Sequence, residues 1–287
     1  RNFVTYYATG SNAYSSGQGT RVVKFLLACE GWLDPDAVRF SLDVVNLCNP
    51  TPSPAADGNP AVEAKCLRPL SKCHAVFRRL RVLCRGVLLE DINEYNRISE
   101  MFNIFQNPHS MYNDEIESFG MSGTLDPKST TALPGFADKC RVMFKPLSGV
   151  LMQKKWIHLK YCPLEFEFEL ADATDPIVSI VDAQHTAANT SYLWHLENCC
   201  LKADVCSLDS GIQNRHDERI ISGGDLQLIF YRIISNFQTL LSSNAQINIS
   251  RSCHSLTKVF VSFDKDMGTN RKVYYNKHWN NFYSPIT

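Results

Sequence analysis

The chain lacks the features that would place it in several large functional classes. Its 29 basic residues are balanced by 29 acidic residues, so it has no basic excess of the kind that nucleic-acid-wrapping proteins carry. Apolar runs are short, as at Val87–Leu89, where Glu90 follows, and none approaches the roughly 20 apolar residues of a membrane helix. These absences predict no sequence-specific nucleic-acid partner and no transmembrane segment.

Common catalytic and nucleotide-binding motifs are also missing from the sequence. It contains no P-loop, no G-x-G-x-x-G, no H-E-x-x-H and no G-x-S-x-G pattern. We therefore expect that the protein is not an enzyme. We also expect no catalytic residues, no cofactor-binding residues and no metal ligands.

The N-terminus shows neither a secretory leader nor an initiating methionine. The chain begins Arg1-Asn2-Phe3-Val4 without the apolar core of a signal peptide, so we expect a fragment or a processed form. Eleven cysteines are an odd number in a chain too large to need disulfide staples. We expect most of them to be reduced thiols packed as small apolar side chains. The glycosylation sequons at Asn189 and Asn248 then have no role.

The strongest structural pattern lies at residues 164–170. Leu164, Phe166, Phe168 and Leu170 alternate with three glutamates, which is the period of a strand with one buried face. Pro163 cannot donate to a sheet ladder, so the strand should begin after it. The glutamates at 165, 167 and 169 should be solvated, or paired with Arg or Lys on a neighbouring strand or subunit, rather than hold calcium or perform acid–base chemistry.

Similar patterns predict short strands along most of the chain. Arg85-Gly86 joins two of them as a tight hairpin, and the arginines at 79 and 81 form the solvent face opposite Leu80 and Val82. The predicted strands are 22–27, 38–44, 76–84, 87–92, 141–151, 177–181, 192–200, 201–208, 226–230, 247–249 and 258–263.

A few segments depart from the strand pattern. Residues 98, 101, 102 and 105 form one apolar helical stripe that should pack over a barrel end, and residues 210–222 are polar and helical. Residues 1–19 read as an extended arm or loop, and the proline-rich residues 49–60 as a long exposed loop. Residues 106–134 hold few large apolar side chains, so we expect the division between two domains there.

Three segments of the chain resemble double jelly-roll major capsid proteins of the large DNA virus and polinton-like virus lineage. These are residues 83–92 with the following helix, residues 142–170, and residues 203–209 followed by Asp217-Glu218-Arg219. Their order and spacing match the family, although Gly211 to His216 lengthens the last link. The resemblance implies an all-β fold of two consecutive eight-stranded jelly-roll β-sandwiches with a few short helices. We expect the N-terminal jelly roll at 1–130 and the C-terminal one at 131–287.

The resemblance also implies a function. It predicts a structural capsid protein that forms homotrimers of pseudo-hexagonal outline, which tile the icosahedral shell of a DNA virus. Its partners would be copies of itself and neighbouring capsomers, with penton and minor capsid proteins as further candidates. It would reside in the virion after assembly in the host cytoplasm or nucleus. Candidate arms that grip neighbours, or equally seal their own barrels, are Tyr6, Tyr7, Tyr274, Tyr275, Trp279, Phe282 and Tyr283.

Other functions remain open on the sequence alone. A carbohydrate-binding β-sandwich is the main alternative, and a minor or domesticated capsid relative would share the fold. A hydrolase is disfavoured, because in Cys73-His74 and Cys253-His254 strand neighbours would point to opposite faces. A zinc site is disfavoured too, because the spacings do not form paired C-x-x-C motifs. Its candidate ligands are His195, Cys199, Cys200, Cys206 and His216.

Overall fold

A computed structural model describes most of the chain up to residue 261. The described residues are 1–17, 19–47, 66–69, 72–104, 139–172, 177–180, 193–225, 227–238, 246, 249 and 255–261. Their strands are β1 (Asn2–Tyr7), β2 (Ala13–Tyr14), β3 (Val22–Leu27), β4 (Trp32–Leu33), β5 (Arg39–Asn46), β6 (Cys66–Pro69), β7 (Phe77–Cys84), β8 (Val87–Asn93), β9 (Lys139–Phe144), β10 (Ile157–His158), β11 (Leu164–Leu170), β12 (Ile177–Ile180) and β13 (Trp194–Cys206). The helices are α1 (Tyr95–Ile104), α2 (Gly149–Met152) and α3 (Ser210–Ile221), with 3₁₀ turns at Pro35–Ala37 and Cys73–Val76.

Two antiparallel sheets pack face to face. One sheet has the order β10-β4-β13-β5-β9, with β1 and β2 also paired to β13, and the other has the order β3-β11-β7-β8. β6 and β12 form a separate pair. The orders β1-β13-β5-β9 and β3-β11-β7-β8 are those of an eight-stranded jelly roll, so the predicted all-β, jelly-roll fold is confirmed.

The alternating pattern of β11 determines how the two sheets meet. β11 lies between β3 and β7, and its apolar residues are buried while its glutamates are only partly so. Phe168 lies 4.7 Å between ring centroids from Phe40 on β5 and 5.1 Å from Phe77 on β7. Phe25 on β3 contacts Phe40 edge-on at 5.1 Å. This aromatic cluster joins the two sheets, and its burial supplies much of the hydrophobic stabilisation.

The predicted hairpin between β7 and β8 is confirmed. Arg85 has a φ of 48° and Gly86 a φ of 78°, both in the left-handed region. Two successive positive φ values are typical of the type I′ turn, whose twist matches that of paired strands. α1 follows β8 as predicted, and Ile98 on its apolar side packs against the core.

The predicted domain boundary needs correction, because the jelly roll uses strands from both sides of residue 130. β9 pairs with β5, β11 pairs with both β3 and β7, and β13 pairs with β1 and β5. The stretch poor in apolar residues therefore separates two elements of one sandwich. The described residues after Cys206 contain one helix and no strand. The described residues as a whole therefore contain one of the two predicted jelly rolls, built from strands between Asn2 and Cys206.

Several local predictions also differ from the structure. Residues 149–152 form α2 rather than the end of a strand, and β13 is one strand where two were predicted. Its register shifts between Glu197 and Cys200, and Asn198 takes a positive φ of 50°, so a β-bulge keeps the strand continuous. The described parts of 226–230 and 258–263 are not strands. Residues 2–7 are a paired strand, not a free arm.

Some predictions fall outside the described residues. These are the proline-rich loop at 49–60, the pair Cys253-His254, both sequons and the five C-terminal aromatic residues.

Candidate functional site

The outer face of the four-stranded sheet is a lattice of ion pairs. Glu167 on β11 contacts Lys24 on β3 at 2.6 Å and Arg81 on β7 at 2.9 Å. Arg79 donates two hydrogen bonds of 2.8 Å to Asp91 on β8. The predicted pairing of the strand glutamates with basic neighbours is confirmed at Glu167. Because each of these charges has an opposite partner, the face is electrostatically balanced and offers little attraction to a charged ligand.

A second polar cluster holds α3 against the end of the other sheet. Trp32 on β4 stacks on His158 of β10 at 4.3 Å and meets the ring of His216 on α3 edge-on at 4.9 Å. Its indole N–H donates to the Gln213 side-chain oxygen at 3.0 Å. None of the α3 side chains is buried, so the helix relies on these polar and ring contacts for its position.

The same cluster continues into the turn after β10. The Tyr161 hydroxyl donates to Asp217 at 2.9 Å, and Lys160 lies 3.4 Å from the same carboxylate. The Gln213 amide donates to His158 Nε2 at 3.1 Å, which requires that ring nitrogen to be unprotonated. Burial lowers the pKa of His158 and so favours the same neutral form. These hydrogen bonds and ring contacts between α3 and residues 32 and 158–161 fix the position of the helix.

Glu90 forms a third polar site, and this carboxylate is fully buried. It accepts a hydrogen bond from Ser148 Oγ at 2.5 Å, from Gly149 N at 3.0 Å and from Ile233 N at 3.0 Å. Three donors compensate for the loss of hydration that burial of a charge costs. Glu90 thereby joins β8, α2 and residues 227–238, which we call the C-terminal strap.

Large apolar side chains remain exposed at two segments of the chain. On β1, Phe3 and Tyr7 are 66% and 74% exposed, and no described strand pairs with the second edge of β1. On the C-terminal strap, Leu228, Phe230 and Ile233 pack against the core, while outward side chains stay in solvent. The exposed ones are Ile229, Tyr231, Ile234 and Phe237.

Cys73 and His74, for which catalysis was disfavoured above, are not arranged as a reactive pair. Cys73 and His74 lie in a 3₁₀ turn rather than in a strand, which corrects the predicted geometry. Cys73 is buried, and the His74 ring lies 3.2 Å from the Lys145 carbonyl. Burial lowers the pKa of His74 to about 4, and this ring is part of the core between Tyr95 and Phe144.

The five residues that were considered and disfavoured as zinc ligands make separate contacts in the structure. His195 lies 2.7 Å from Glu197, and His216 belongs to the Trp32 cluster. Cys199, Cys200 and Cys206 are buried free thiols on β13. Within the described residues, no group of three or more potential ligands could hold a metal ion.

Sequence reasoning missed Glu90 and the residues around Trp32. A signal for Glu90 exists, because it lies two residues before the buried Ile92 and so shares its inward face. The Trp32 cluster has no comparable local signal, since its members come from 32, 158–161 and 213–217.

A scan against models of protein families and a search of curated protein sequences gave no match. In the part of the chain that is described, no helix is long and apolar enough to cross a membrane.

Solved viral structures resemble the chain at low sequence identity. A quasi-atomic model of the PBCV-1 virus capsid shows 12% identity and a TM-score of 0.47, over 75% of this chain and 43% of that one. PBCV-1 VP54, fitted into a reconstruction of the virophage Sputnik, shows 13% identity and a TM-score of 0.45, over 75% of this chain and 44% of that one. The Sputnik virophage structure shows 10% identity and a TM-score of 0.42, over 73% of this chain and 48% of that one. The chain thus spans less than half of each matched chain.

Proposed function

We propose that this protein is a structural component of a viral capsid, in which its jelly roll is a rigid unit that binds copies of itself. The observation that supports this proposal is that two segments, β1 and the C-terminal strap, each expose an apolar surface. Jelly rolls of this strand order occur in viral capsid proteins and in lectins, which are the two functions that the sequence left open.

The β1 surface is suited to contact with another protein. Its side chains at 3 and 7 point away from the sandwich, and β13 occupies one edge of the strand. A free strand edge beside exposed aromatic groups is costly to leave in water and promotes association with another chain. Aromatic side chains also supply much of the binding energy of protein interfaces.

The strap surface lies on a backbone that the sandwich holds in place. The backbone N–H of Ile233 donates to Glu90, and the Ser235 hydroxyl accepts from Asn93 N at 2.9 Å. Its outward residues are therefore presented from a backbone that two hydrogen bonds attach to the sandwich. Pre-ordering reduces the conformational entropy lost on binding and so favours a stable assembly.

The internal polar clusters support a structural role more than a catalytic one. The carboxylates of Glu90, Asp217 and Glu167 each accept or pair with groups from other segments of the fold. Their function in this proposal is to connect strands, helix and strap, so the protein would act without a catalytic step or a cofactor.

The finer assembly follows from the family resemblance of the sequence. We propose a homotrimer of pseudo-hexagonal outline that contacts neighbouring capsomers in an icosahedral virion. A cyclic trimer needs two different complementary surfaces that close into a ring, and β1 and the strap would supply them. A persistent shell needs interfaces well above about 1,000 Å².

Native mass spectrometry and negative-stain imaging of the purified chain test this function. We expect a trimer, whose outline will be hexagonal only if each chain contributes two jelly rolls. A double variant, Phe3→Lys with Tyr7→Lys, should shift the mass to the monomer while its circular dichroism stays unchanged. Val87→Lys is the matched control, because Val87 is similarly exposed, at 65%, but lies beside the hairpin turn.

Two results would contradict the proposal. One is a wild-type chain that stays monomeric at its highest soluble concentration. The other is monomeric protein that binds specific sugars on a glycan array, which would favour the carbohydrate-binding function instead.

A further inference from the structure

Two thiols that are far apart in sequence meet at the end of the four-stranded sheet. The Sγ atoms of Cys84 and Cys162 lie 2.9 Å apart, although 78 positions separate the residues. Cys84 is the last residue of β7, and Cys162 lies in the turn that leads through Pro163 into β11. Both cysteines are free and only partly buried, so solutes in the surrounding solvent have access to this site.

We propose that Cys84 and Cys162 are a site of reversible oxidation, where exchange with a small-molecule disulfide such as oxidised glutathione forms a disulfide bond. The function of the bond is to fasten the turn at residues 159–162, which carries the contacts to α3. We call the two cysteines the thiol pair.

The geometry allows the bond with little movement. A disulfide has a sulfur–sulfur distance of about 2.05 Å, so the two Sγ atoms must approach by less than about 1 Å. The sheet already places their backbones, because Leu164 is the direct partner of Cys84 in the β7–β11 ladder. Cys162 lies two residues before this partner, in a turn whose residues can adjust.

The exchange proceeds in two balanced steps. One cysteine, as its thiolate, attacks a sulfur of the small disulfide and releases one small thiolate, which gives a mixed disulfide. The second cysteine loses its proton and attacks the protein sulfur of this mixed disulfide, which releases the second small thiolate. Two protein thiols are oxidised and one small disulfide is reduced, and the two protons that the protein thiols lose pass through the solvent to the two released small thiolates.

The environment sets the rate of this reaction. Burial, followed by the hydrogen bond with Cys84, raises the pKa of Cys162 to about 12. The thiolate of Cys162 is therefore scarce at neutral pH, and the step in which Cys162 attacks should accelerate as the pH rises. Reducing surroundings would keep the thiol pair open, while an oxidising environment would close it.

The bond would restrain a turn that contacts α3. The backbone N–H of Cys162 donates to the His158 carbonyl at 2.9 Å, and the neighbouring Tyr161 hydroxyl donates to Asp217. Fixing Cys162 to β7 therefore limits the motion of the residues that hold the helix. We expect slower amide hydrogen exchange at 159–162 and in α3 after oxidation.

A peptide map of the oxidised full chain tests the proposal. After incubation with oxidised glutathione and digestion without reductant, we expect a peptide that joins Cys84 to Cys162, with two free thiols lost per chain. The melting temperature should rise by roughly 5 to 10 °C and return on addition of dithiothreitol.

Matched variants separate this site from the other thiols. Cys84→Ser and Cys162→Ser should lose the joined peptide and the thermal shift, while Cys140→Ser, which removes a partly buried thiol on β9, should keep both. If a serine variant fails to fold, the wild-type map and its reversal by reductant still decide the matter.

A wild-type map without the joined peptide, or with Cys84 joined to another cysteine, would overturn the proposal. The experiment follows a bond within one chain, so its outcome does not depend on whether the protein assembles.

Discussion

Arg141 on β9 donates two hydrogen bonds to Asp43 on β5, over 2.6 and 2.9 Å. The carboxylate is 1% exposed, and it accepts a third hydrogen bond of 2.8 Å from Asn198 in the bulge of β13. One side chain thereby joins three strands that are distant in sequence. Hydrogen bonding by Arg141 holds the pKa of Asp43 below its ordinary value of 3.8.

Asp43→Asn should destabilise the fold at neutral pH by about 1 to 3 kcal/mol, because charge-assisted hydrogen bonds to a buried group are lost. The lowered pKa means that the unfolded chain binds this proton more tightly. The contribution of Asp43 is therefore complete above its ordinary pKa and is lost as the pH falls below it.

Urea unfolding at neutral and acidic pH checks this expectation, and the variant should lose less stability on acidification than the wild type. Asp36→Asn is the control, because Asp36 is exposed and pairs only at the surface with Lys145. An equal effect of the two variants would contradict the prediction.

The ring of His74, which packs between Tyr95 and Phe144, should make stability fall as the pH drops from 7 to 5. Burial lowers its pKa from 6.5 to about 4. Between these two values the unfolded chain binds a proton at this ring and the folded chain does not. This difference is small at pH 7 and amounts to about 2 kcal/mol at pH 5. His74→Gln should flatten this part of the profile in urea titrations, and an unchanged slope would argue against a buried neutral ring.

Glu90→Gln should destabilise the protein by about 2 to 3 kcal/mol, because the new amide presents N–H groups to donors at Ser148 and Ile233. Hydrogen exchange in the strap should accelerate more than in β7. Glu94→Gln is the matched control, since Glu94 pairs with Arg78 at the surface. Normal protection of the strap in Glu90→Gln would show that other contacts hold it.

Gly149→Ala should displace the C-terminal strap without any change of charge. A Cβ at this position would overlap the carbonyl oxygen of Tyr231. Limited proteolysis within 227–238 should therefore become faster. In contrast, Gly17→Ala should behave like the wild type, because a Cβ there meets nothing within 4 Å.

Asp217→Ala should loosen α3, since it removes the acceptor of the Tyr161 hydroxyl and the partner of Lys160. Amide exchange within the helix should accelerate several-fold, with little change in the sheets. Glu218→Ala changes the adjacent, more exposed acid and should have a smaller effect. Equal exchange rates in the two variants would assign the docking to the ring contacts alone.

Local sequence patterns were sufficient for many individual elements. The alternation in β11 identified its buried face, Arg85-Gly86 identified the hairpin, and the apolar stripe after it identified α1. Each of these features depends on residues close in sequence, so periodicity and turn chemistry report it directly. The ion pairs of Glu167 with Lys24 and Arg81 are one of the outcomes that the sequence left open for the outward glutamates.

The tertiary structure alone decided which strands became neighbours. β11 lies between β3 and β7, so one sandwich spans the point where composition predicted a domain boundary. Strand periodicity states which side chains face inward, but it contains no information on the partner strand. The burial of Glu90 with its three donors and the contact of Cys84 with Cys162 follow from those long-range pairings. The spacing of Glu90 from Ile92 indicates its inward face, but no local pattern could have predicted its three donors or the contact between the two thiols.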